Sequence, residues 1–282
     1  MRRYLRRMIN KLRTSFLAMP YAIWVLICTI LPLFYILGYA ITNGDGGFTI
    51  ANLTAIADPV HLKSLGLSIQ VAFITTVICL IMAYPVALIL HNLKITNKGF
   101  IVFLFILPMW MNFMLRILAW QNILSNNGIL NSILTALGLP TVHILYTKAT
   151  VILGMVYDFL PYMILPIYNS LSKISDDVIE AAADLGSNWL NTFIKITIPL
   201  SRDGIISGII MVFVPALSSF VVSNLLGGGK VLLIGNVIEQ EFTLARNWNL
   251  GSGLSIILML FVLASMSIMN RVDDSENGGM LL

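Results

Sequence analysis

The chain has 282 residues, of which 58% are hydrophobic and 11% are charged. Soluble domains are about 45–50% apolar and about 25% charged, so this composition excludes an ordinary soluble domain and predicts an all-α polytopic membrane protein. The net charge is +4, and six of the 17 basic residues lie within the first 13. Such a run before an apolar segment is typical of a cytoplasmic anchor, which we favour over an arm that binds nucleic acid.

Six apolar segments are long enough to be transmembrane helices. They cover residues 15–41, 65–90, 100–123, 148–171, 204–226 and 251–270. The first is too long for the core of a signal peptide, so we expect it to be retained. The pattern predicts one transmembrane domain over 15–270, after a basic segment 1–14 and before a short cytoplasmic tail 271–282.

The placement of basic residues predicts an orientation. With the N-terminus inside, the inner segments hold twelve of the 17 basic residues, the outer segments hold four, and Arg116 lies within the third span. Because inner loops carry an excess of Lys and Arg, both termini are predicted to be cytoplasmic.

The outer loop 126–140 has the pattern of a short amphipathic helix. Asn residues stand at its start, and Gly138 and Pro140 stand at its end, as at a helix terminus. Two interpretations are open: the helix meets a docking partner on the outer face, or it covers the ends of the spans.

Motifs for catalysis and metal binding are missing from the sequence. Cys28 and Cys79 lie in apolar runs, where cysteine behaves as a small hydrophobic residue. The three histidines lack ligand spacing, and there is no GxxxxGK[ST] loop, HExxH motif or paired carboxylate site. We therefore expect a protein that is not an enzyme and that binds no metal or cofactor itself.

The longest inner connection, residues 172–203, is polar and helix-prone. Asp177 and Glu180 fit a capping box ahead of a short helix over 178–185. Gly186 stands where a left-handed residue ends such a helix.

A second short helix is predicted to run toward Pro199, capped by Ser187 or Asn188. In the first helix, Val178, Ala182 and Leu185 recur at i, i+4 and i+7 and share one side. A short capped helix on the cytoplasmic side either docks into a groove of a partner or lies on the membrane surface.

The stretch EAAADLGSNWLNTFIKITIP, residues 180–199, resembles the EAA loop of type I ABC importer permeases, EAA-x3-G-x9-I-x-L-P. Ile198 replaces the leucine of that pattern. In that family the loop is the coupling helix, which sits in a cleft of a cytoplasmic ATPase. The resemblance assigns ATPase coupling to Glu180, Ala181, Ala182, Leu185, Gly186 and Pro199, and it implies six transmembrane helices.

The resemblance extends over most of residues 60–270. ILPMWMNFMLRILAWQNIL (106–124), VYDFLPYMILPIYNSL (156–171) and VVSNLLGGGKVLLIGNVI (221–238) are similar to segments of spermidine/putrescine importer permeases, closest to the first of their two permease subunits. This implies a bacterial cell membrane protein that works with a second similar permease, an extracytoplasmic polyamine-binding protein and two copies of an ATPase that binds ATP and Mg.

Two charged residues lie within the predicted spans, Arg116 in the third and Asp158 in the fourth. Each costs roughly 2.5–3.5 kcal/mol at the centre of a lipid-facing helix, so each should face protein or water. At about 1.5 Å per residue the two lie about 10 and about 15 Å deep, within reach of one another. Asp158 either forms a structural ion pair with Arg116 or meets a cationic cargo in the pathway.

Other residues are candidates for the same pathway. Tyr157, Tyr162 and Trp110 offer ring faces that suit a polyamine. Asn224 lies near the outer end of span five, where the similar permeases tend to have an aspartate. Taken singly, each aromatic residue is better accounted for by span packing or by a role as an interface anchor.

The sequence thus predicts the permease subunit of an ATP-driven importer for polyamines. The alternatives are the same machine carrying ferric iron, thiamine or a phosphonate, and a passive channel.

Overall fold

The computed structural model describes residues 19–93 except 22 and 45, residue 103, and residues 107–277. The chain divides into two compact units, one formed by residues 58–240 and 260–282 and the other by residues 1–57 and 241–259. The predicted segment 1–14 lies outside the described residues.

The described helices are, in chain order, α1 (Met19–Ala40), α2 (Ala51–Thr54), α3 (Pro59–Asn92), α4 (Phe113–Leu124), α5 (Ile129–Ala136), α6 (Lys148–Leu171), α7 (Asp176–Asp184), α8 (Trp189–Leu200), α9 (Arg202–Ser218), α10 (Val221–Gly227), α11 (Ile234–Thr243) and α12 (Trp248–Asn277). Short 3-10 turns lie at Ala55–Ala57 and Leu107–Trp110, and π-helical turns lie within α1 and α8.

Four of these helices are long and apolar enough to cross a membrane: α1, α3, α6 and the Trp248–Met269 part of α12. Helices α8 and α9 make a fifth if they are counted as one span, bent by 63° between Leu200 and Arg202. The protein is therefore a helical, multi-pass membrane protein. The count of six spans and the orientation of the termini stay predictions.

Helix α3 begins six residues before the predicted span 65–90. The Asp58 side chain accepts a hydrogen bond from the Val60 amide at 2.8 Å, and Pro59 occupies the first helical position. Carboxylate caps and an N-terminal proline both favour helix starts. The helix therefore starts at this local cap rather than where the apolar run begins.

The predicted third span, 100–123, is interrupted in its described part. A 3-10 turn at Leu107–Trp110 precedes α4, and the chain changes direction at residues 111–112. The side chain of Asn112 accepts hydrogen bonds from the amides of Met114 and Leu115 at 2.9 and 3.3 Å. This cap starts a new helix, which the apolar run alone does not reveal.

The predicted fifth span, 204–226, is also not one helix. Helix α9 ends at Ser218, residues 219 and 220 leave the helix, and α10 follows. The amide of Asn236 donates to the Phe220 carbonyl at 3.1 Å. The Phe220 carbonyl also accepts from the Asn224 backbone amide at 2.8 Å, so the bond from Asn236 is a second one that ties α11 to the start of α10.

Helices α3, α6 and α9 pack on one another and form the core of the larger unit. Gly204 and Gly208 on α9 face α6: a Cβ at Gly204 would stand 2.5 Å from the Pro166 carbonyl oxygen, and one at Gly208 would stand 2.6 Å from the Met163 sulfur. Small residues four apart let membrane helices approach closely. This pair therefore sets the distance between α9 and α6.

Helix α5, in the loop that is predicted to lie outside, is held by Asn131. Its amide nitrogen donates to the carbonyls of Ser125, Asn126 and Val142 at 3.2, 3.2 and 3.0 Å, and its oxygen accepts from the Val142 amide at 2.8 Å. The helix starts after Gly128 rather than at an asparagine cap. The asparagine that matters is thus inside the helix, where it joins both ends of the loop.

In the smaller unit, two asparagines hold the segment that follows α1. The amides of Asn52 and Asn249 donate to the Thr42 carbonyl at 2.8 and 2.6 Å, and Asn249 also donates to the Tyr39 carbonyl at 3.1 Å. These bonds satisfy one carbonyl in the last turn of α1 and one just beyond its end.

Candidate functional site

The two intramembrane charges lie on different helices of the larger unit. Arg116 is in the first turns of α4, and its backbone amide donates to the Asn112 carbonyl at 3.2 Å. Asp158 lies in the middle of α6, which begins after Thr147, whose hydroxyl accepts from the Thr150 amide at 3.3 Å. Helix α10 packs against both α4 and α6. Three short or proline-containing elements therefore surround this region.

The guanidinium and the carboxylate meet inside the protein. Nη2 of Arg116 lies 3.4 Å from Oδ1 of Asp158, and the two side chains are 8% and 1% exposed. Charge-assisted hydrogen bonds are shorter, about 2.7–2.9 Å. Within the described part of the chain, Nε and Nη1 of Arg116 and both oxygens of Asp158 have no hydrogen-bond partner. The contact is thus an ion pair held by proximity, with most of its hydrogen-bonding capacity unused.

The three aromatic residues predicted for the pathway make ring contacts with other aromatic residues. Tyr157 lies edge-on to Trp120 at 5.4 Å, Tyr162 is tilted against Phe159 at 6.4 Å, and Trp110, which is 75% exposed, lies edge-on to Phe103 at 5.5 Å. Tyr162 is four residues beyond Asp158 on α6.

Because residues four apart share a helix face, Tyr162 lies one turn from Asp158 on the same side of α6. Tyr157 points about 100° away from Asp158 around the helix axis. The role of all three aromatic residues in a pathway stays a prediction.

Asn224 takes part in a hydrogen-bond network at the break between α9 and α10. Its side-chain oxygen accepts from the Asn236 amide at 2.7 Å, and the Asn236 oxygen accepts from the Leu233 backbone amide at 3.0 Å. Asn236 is buried. Asn236, the third residue of α11, was not predicted from the sequence, although a polar side chain at this position that reaches back to the amide before the helix is one half of a capping box.

The loop 172–203, which the charge pattern predicts to be cytoplasmic, is called the coupling segment from here on, after its predicted role. Its first helix, α7, is capped by Ser175, with no side-chain capping bond, and Asp176 and Asp177 lie within the first turn. The predicted capping box of Asp177 and Glu180 is therefore wrong. The helix starts two residues earlier, and its first-turn carboxylates stabilise it through the helix dipole instead.

Gly186 ends α7 in the predicted left-handed conformation, with φ of +80°. The Ser187 amide donates to the Ala182 carbonyl at 3.0 Å, and the Gly186 amide donates to the Ala183 carbonyl at 2.9 Å. These two bonds form a Schellman motif, which favours glycine at this position. Asn188 then caps α8 by accepting from the Asn191 amide at 2.8 Å.

The residues assigned to ATPase coupling are not equally accessible. Glu180, Ala181, Gly186 and Pro199 are exposed, and Leu185 is 89% exposed. Ala182, at 6%, is buried within the chain, so Val178, Ala182 and Leu185 do not form one exposed face as predicted.

Ala182 is small enough to let α7 pack closely on its own chain. Trp189, Leu190 and Ile194 on α8 extend the exposed apolar surface around Leu185.

The coupling segment is joined to the membrane helices at its far end. The Tyr84 hydroxyl of α3 and the Ser201 hydroxyl, between α8 and α9, are 2.8 Å apart and buried. The ring of Phe193 lies edge-on to Tyr84 at 5.6 Å and stacks on Trp189 at 5.5 Å.

These contacts border a cavity of about 160 Å³ between the ends of α3 and α6 and the coupling segment, lined among others by Leu88, Leu171 and Ile179. The coupling segment and α3 are therefore in direct contact.

The chain is similar to known transport proteins. The family model described as "Binding-protein-dependent transport system inner membrane component" matches residues 83–275. The spermidine/putrescine transport system permease protein PotB of Haemophilus influenzae is 36% identical over 262 residues, which are 90% of this chain and 92% of that protein. The protein of the same name from Escherichia coli is 39% identical over 245 residues, 84% of this chain and 89% of that protein.

A solved structure also matches the chain. One chain of a bacterial alginate ABC transporter, in complex with an alginate pentasaccharide-bound periplasmic protein, matches with a TM-score of 0.80 at 14% identity, over 94% of this chain and 95% of that chain. At that identity the likeness shows a shared fold.

Proposed function

This chain belongs to the family of binding-protein-dependent transport system inner membrane components, and from that premise we propose that it imports a polyamine, spermidine or putrescine. It would act as the permease subunit of an ATP-driven importer. The observation that carries the cargo assignment is the 36–39% identity, over most of the chain, to permeases named for these two compounds. The buried carboxylate of Asp158 supports a cationic cargo.

The proposed complex contains more than this chain. We expect a second, similar permease that completes the pathway, two copies of a cytoplasmic ATPase that binds ATP and Mg, and an extracytoplasmic binding protein that delivers the cargo. The location would be a bacterial inner membrane. The exposed apolar side chains of Leu185, Trp189 and Ile194 support a protein partner for the coupling segment.

The coupling segment has the form that a mechanical joint needs. Helix α7 is held at both ends by backbone geometry, and Leu185 and Glu180 are free to meet the ATPase. Closure of the ATPases on ATP would move α7 and α8, and the contact between Tyr84 and Ser201 would carry this motion into α3. Hydrolysis would return the bundles to the inward-facing state, as in alternating access.

Two alternatives remain distinct from the proposal. The same machine carrying ferric iron, thiamine or a phosphonate would keep the coupling segment and replace the cargo. A passive channel would keep the spans and dispense with the ATPase. The coupling segment resembles a loop that docks on an ATPase, and this favours an ATP-driven importer over a passive channel.

The experiment is uptake of labelled spermidine into proteoliposomes that contain the complete complex and its binding protein. We expect uptake that requires internal ATP and that putrescine competes with, whereas thiamine, ferric iron and phosphonate do not. Uptake without ATP would show a channel. Competition by one of the other solutes would retain the permease and replace the cargo.

A further inference from the structure

The ion pair of Arg116 and Asp158 offers more hydrogen-bonding capacity than it uses. A carboxylate accepts at about four lone-pair sites, and a guanidinium has five N–H donors. Asp158 is 1% exposed, yet neither of its oxygens accepts a hydrogen bond from any residue that the structure describes. Buried acceptors are normally satisfied. A buried carboxylate of this kind points to a donor that the described residues do not supply.

A purely structural role would be served better by apolar side chains. A buried ion pair adds little stability relative to packed hydrophobic residues unless further hydrogen bonds satisfy both ions. Here Nε and Nη1 of Arg116 also have no partner among the described residues. The pair therefore stabilises the packing of α4 against α6 only weakly. It does, however, keep the charge of a buried carboxylate neutralised.

The pair lies where interrupted segments meet. Arg116 follows the break at residues 111–112, and α10, which packs against α4 and α6, follows the break at residues 219–220. Pro161, almost one turn beyond Asp158, has no N–H, so α6 lacks one helical hydrogen bond there. Cargo sites in transporters are typically formed by such discontinuous helices. Asp158 therefore lies among interrupted elements of the kind that form cargo sites.

We propose that Asp158 binds an ammonium group of the cargo and that Arg116 is the cation that occupies this carboxylate between transport cycles. The inference rests on the proposed function, because it takes the cargo to be a polyamine. An ammonium group has three N–H donors on a flexible chain, so it can satisfy the oxygens that Arg116 leaves free. Cargo entry exchanges one cation for another, and the carboxylate is paired at each stage.

The exchange makes Arg116 a competitor of the cargo. Loss of the arginine charge should strengthen binding of a polyamine at Asp158, and loss of the carboxylate should abolish it. An anionic cargo would behave in the opposite way, because it would bind Arg116 and compete with Asp158.

The decisive variant is the double substitution Arg116→Gln with Asp158→Asn, which removes both charges and leaves side chains that can bond to each other. Its thermal midpoint and its maximal rate of spermidine uptake are measured in the complete complex, with loaded binding protein in excess. We expect a thermal midpoint close to that of the unmodified complex and an uptake rate that is lower by about tenfold or more. Uptake at the normal rate would show a structural pair and overturn the proposal.

The control is Thr75→Val, which removes another buried polar group from the same helix core. The Thr75 hydroxyl lies 4.0 Å from the Met155 sulfur, between α3 and α6. Because a contact of that length with sulfur is weak, loss of the hydroxyl should cost little stability, and we expect uptake within about twofold of normal. A fall as large as that of the double variant would mean that any polar change in this core impairs transport, and would overturn the proposal.

A second measurement tests the competition directly. The single variant Arg116→Gln leaves Asp158 buried without a cation, so its thermal midpoint should fall. Spermidine, compared with KCl at equal ionic strength and without binding protein, should recover more than half of that fall by binding the folded state. Asp158→Asn should show no recovery. Absence of recovery in Arg116→Gln would contradict the exchange.

Uptake of spermidine by the unmodified complex is measured in the same vesicles. It distinguishes a failure of the cation exchange from a failure of the cargo assignment. If it transports spermidine but the Arg116→Gln midpoint does not recover, the exchange is wrong and the cargo assignment stands. If it transports no polyamine, the cargo assignment is wrong, and the exchange is wrong with it. If Arg116→Gln does not assemble, the uptake rate of the double variant alone decides whether the exchange is accepted or rejected.

Discussion

The coupling segment and the ion pair differ in how their residues are brought together. In the coupling segment, Ser175, Gly186 and Asn188 act on neighbours within a few residues, through caps and a Schellman motif. Arg116 and Asp158 come from separate helices and meet in a buried place. The first region is shaped by local backbone chemistry and the second by packing. Substitutions in the first should therefore affect transport, and substitutions near the second should also affect stability.

The largest effect on transport is expected for Gly186→Pro. Proline requires φ near −65°, whereas Gly186 has φ of +80° and donates its amide to the Ala183 carbonyl. The turn between α7 and α8 would be lost, and with it a coupling that is typically worth about 5–150-fold. We expect uptake to fall by about that factor while the amount of protein in the membrane stays within about twofold of normal.

The matched control is Gly186→Asn, because asparagine tolerates the left-handed conformation and a Cβ at this position meets nothing within 4 Å. Its uptake should stay near normal. If Gly186→Pro transported normally, the assignment of coupling to this segment would be wrong.

A smaller effect on transport, but a clear one on stability, is expected for Gly204→Leu. The new side chain would clash with the Pro166 carbonyl oxygen. This oxygen is part of the backbone of α6, so it cannot easily shift away. Overpacking of this kind costs about 1–3 kcal/mol or more, so the thermal midpoint and protein level should both fall. Ser207→Leu, at an exposed position of the same helix, should change neither. Equal effects of the two leucines would contradict close packing of α9 on α6.

A moderate effect on the coupling of ATP hydrolysis to transport is expected where the coupling segment contacts α3. Tyr84→Phe removes the hydroxyl that meets Ser201 but keeps the ring against Phe193. One buried hydrogen bond contributes about 0.5–1.5 kcal/mol, so stability should fall slightly. ATP hydrolysis per molecule of cargo transported should rise, because motion is passed on less efficiently. An unchanged ratio, measured in proteoliposomes, would show that this contact does not transmit coupling.

The smallest effect is expected for Asn224→Asp. The oxygen that accepts from the Asn236 amide is retained, and the side chain is exposed in this chain. The thermal midpoint should change by less than about 2 °C. Asn224→Leu, which removes the acceptor, should lower the midpoint further. The opposite order would mean that the bond with Asn236 does not hold the break between α9 and α10.

The sequence predicts local features of this molecule better than tertiary ones. The sequence correctly predicts the left-handed conformation of Gly186, the cap at Asn188 and the fourth apolar helix. These features follow from spacing and residue type, because their causes are local in the chain. The capping box at Asp177 was wrong because the helix already begins at Asp176, which places Asp177 inside the first turn rather than at the cap.

Breaks within apolar runs are harder to predict. Asn112 starts α4 through a local cap on two backbone amides of its first turn. Asn236 contacts the Phe220 carbonyl at the start of α10 from another helix, so its effect appears only when α10 and α11 are packed together. Hydropathy averages over such single polar residues. Burial of Ala182 likewise follows from packing rather than from its position on a helical wheel.

The central claim, that this chain couples polyamine import to a partner ATPase, is tested most directly by the ATPase activity of the purified complex in nanodiscs with its binding protein. The account predicts stimulation by spermidine or putrescine, no stimulation by thiamine or ferric iron, and loss of the stimulation in Gly186→Pro. Activity that does not respond to any polyamine, or that responds equally in Gly186→Pro, would contradict it.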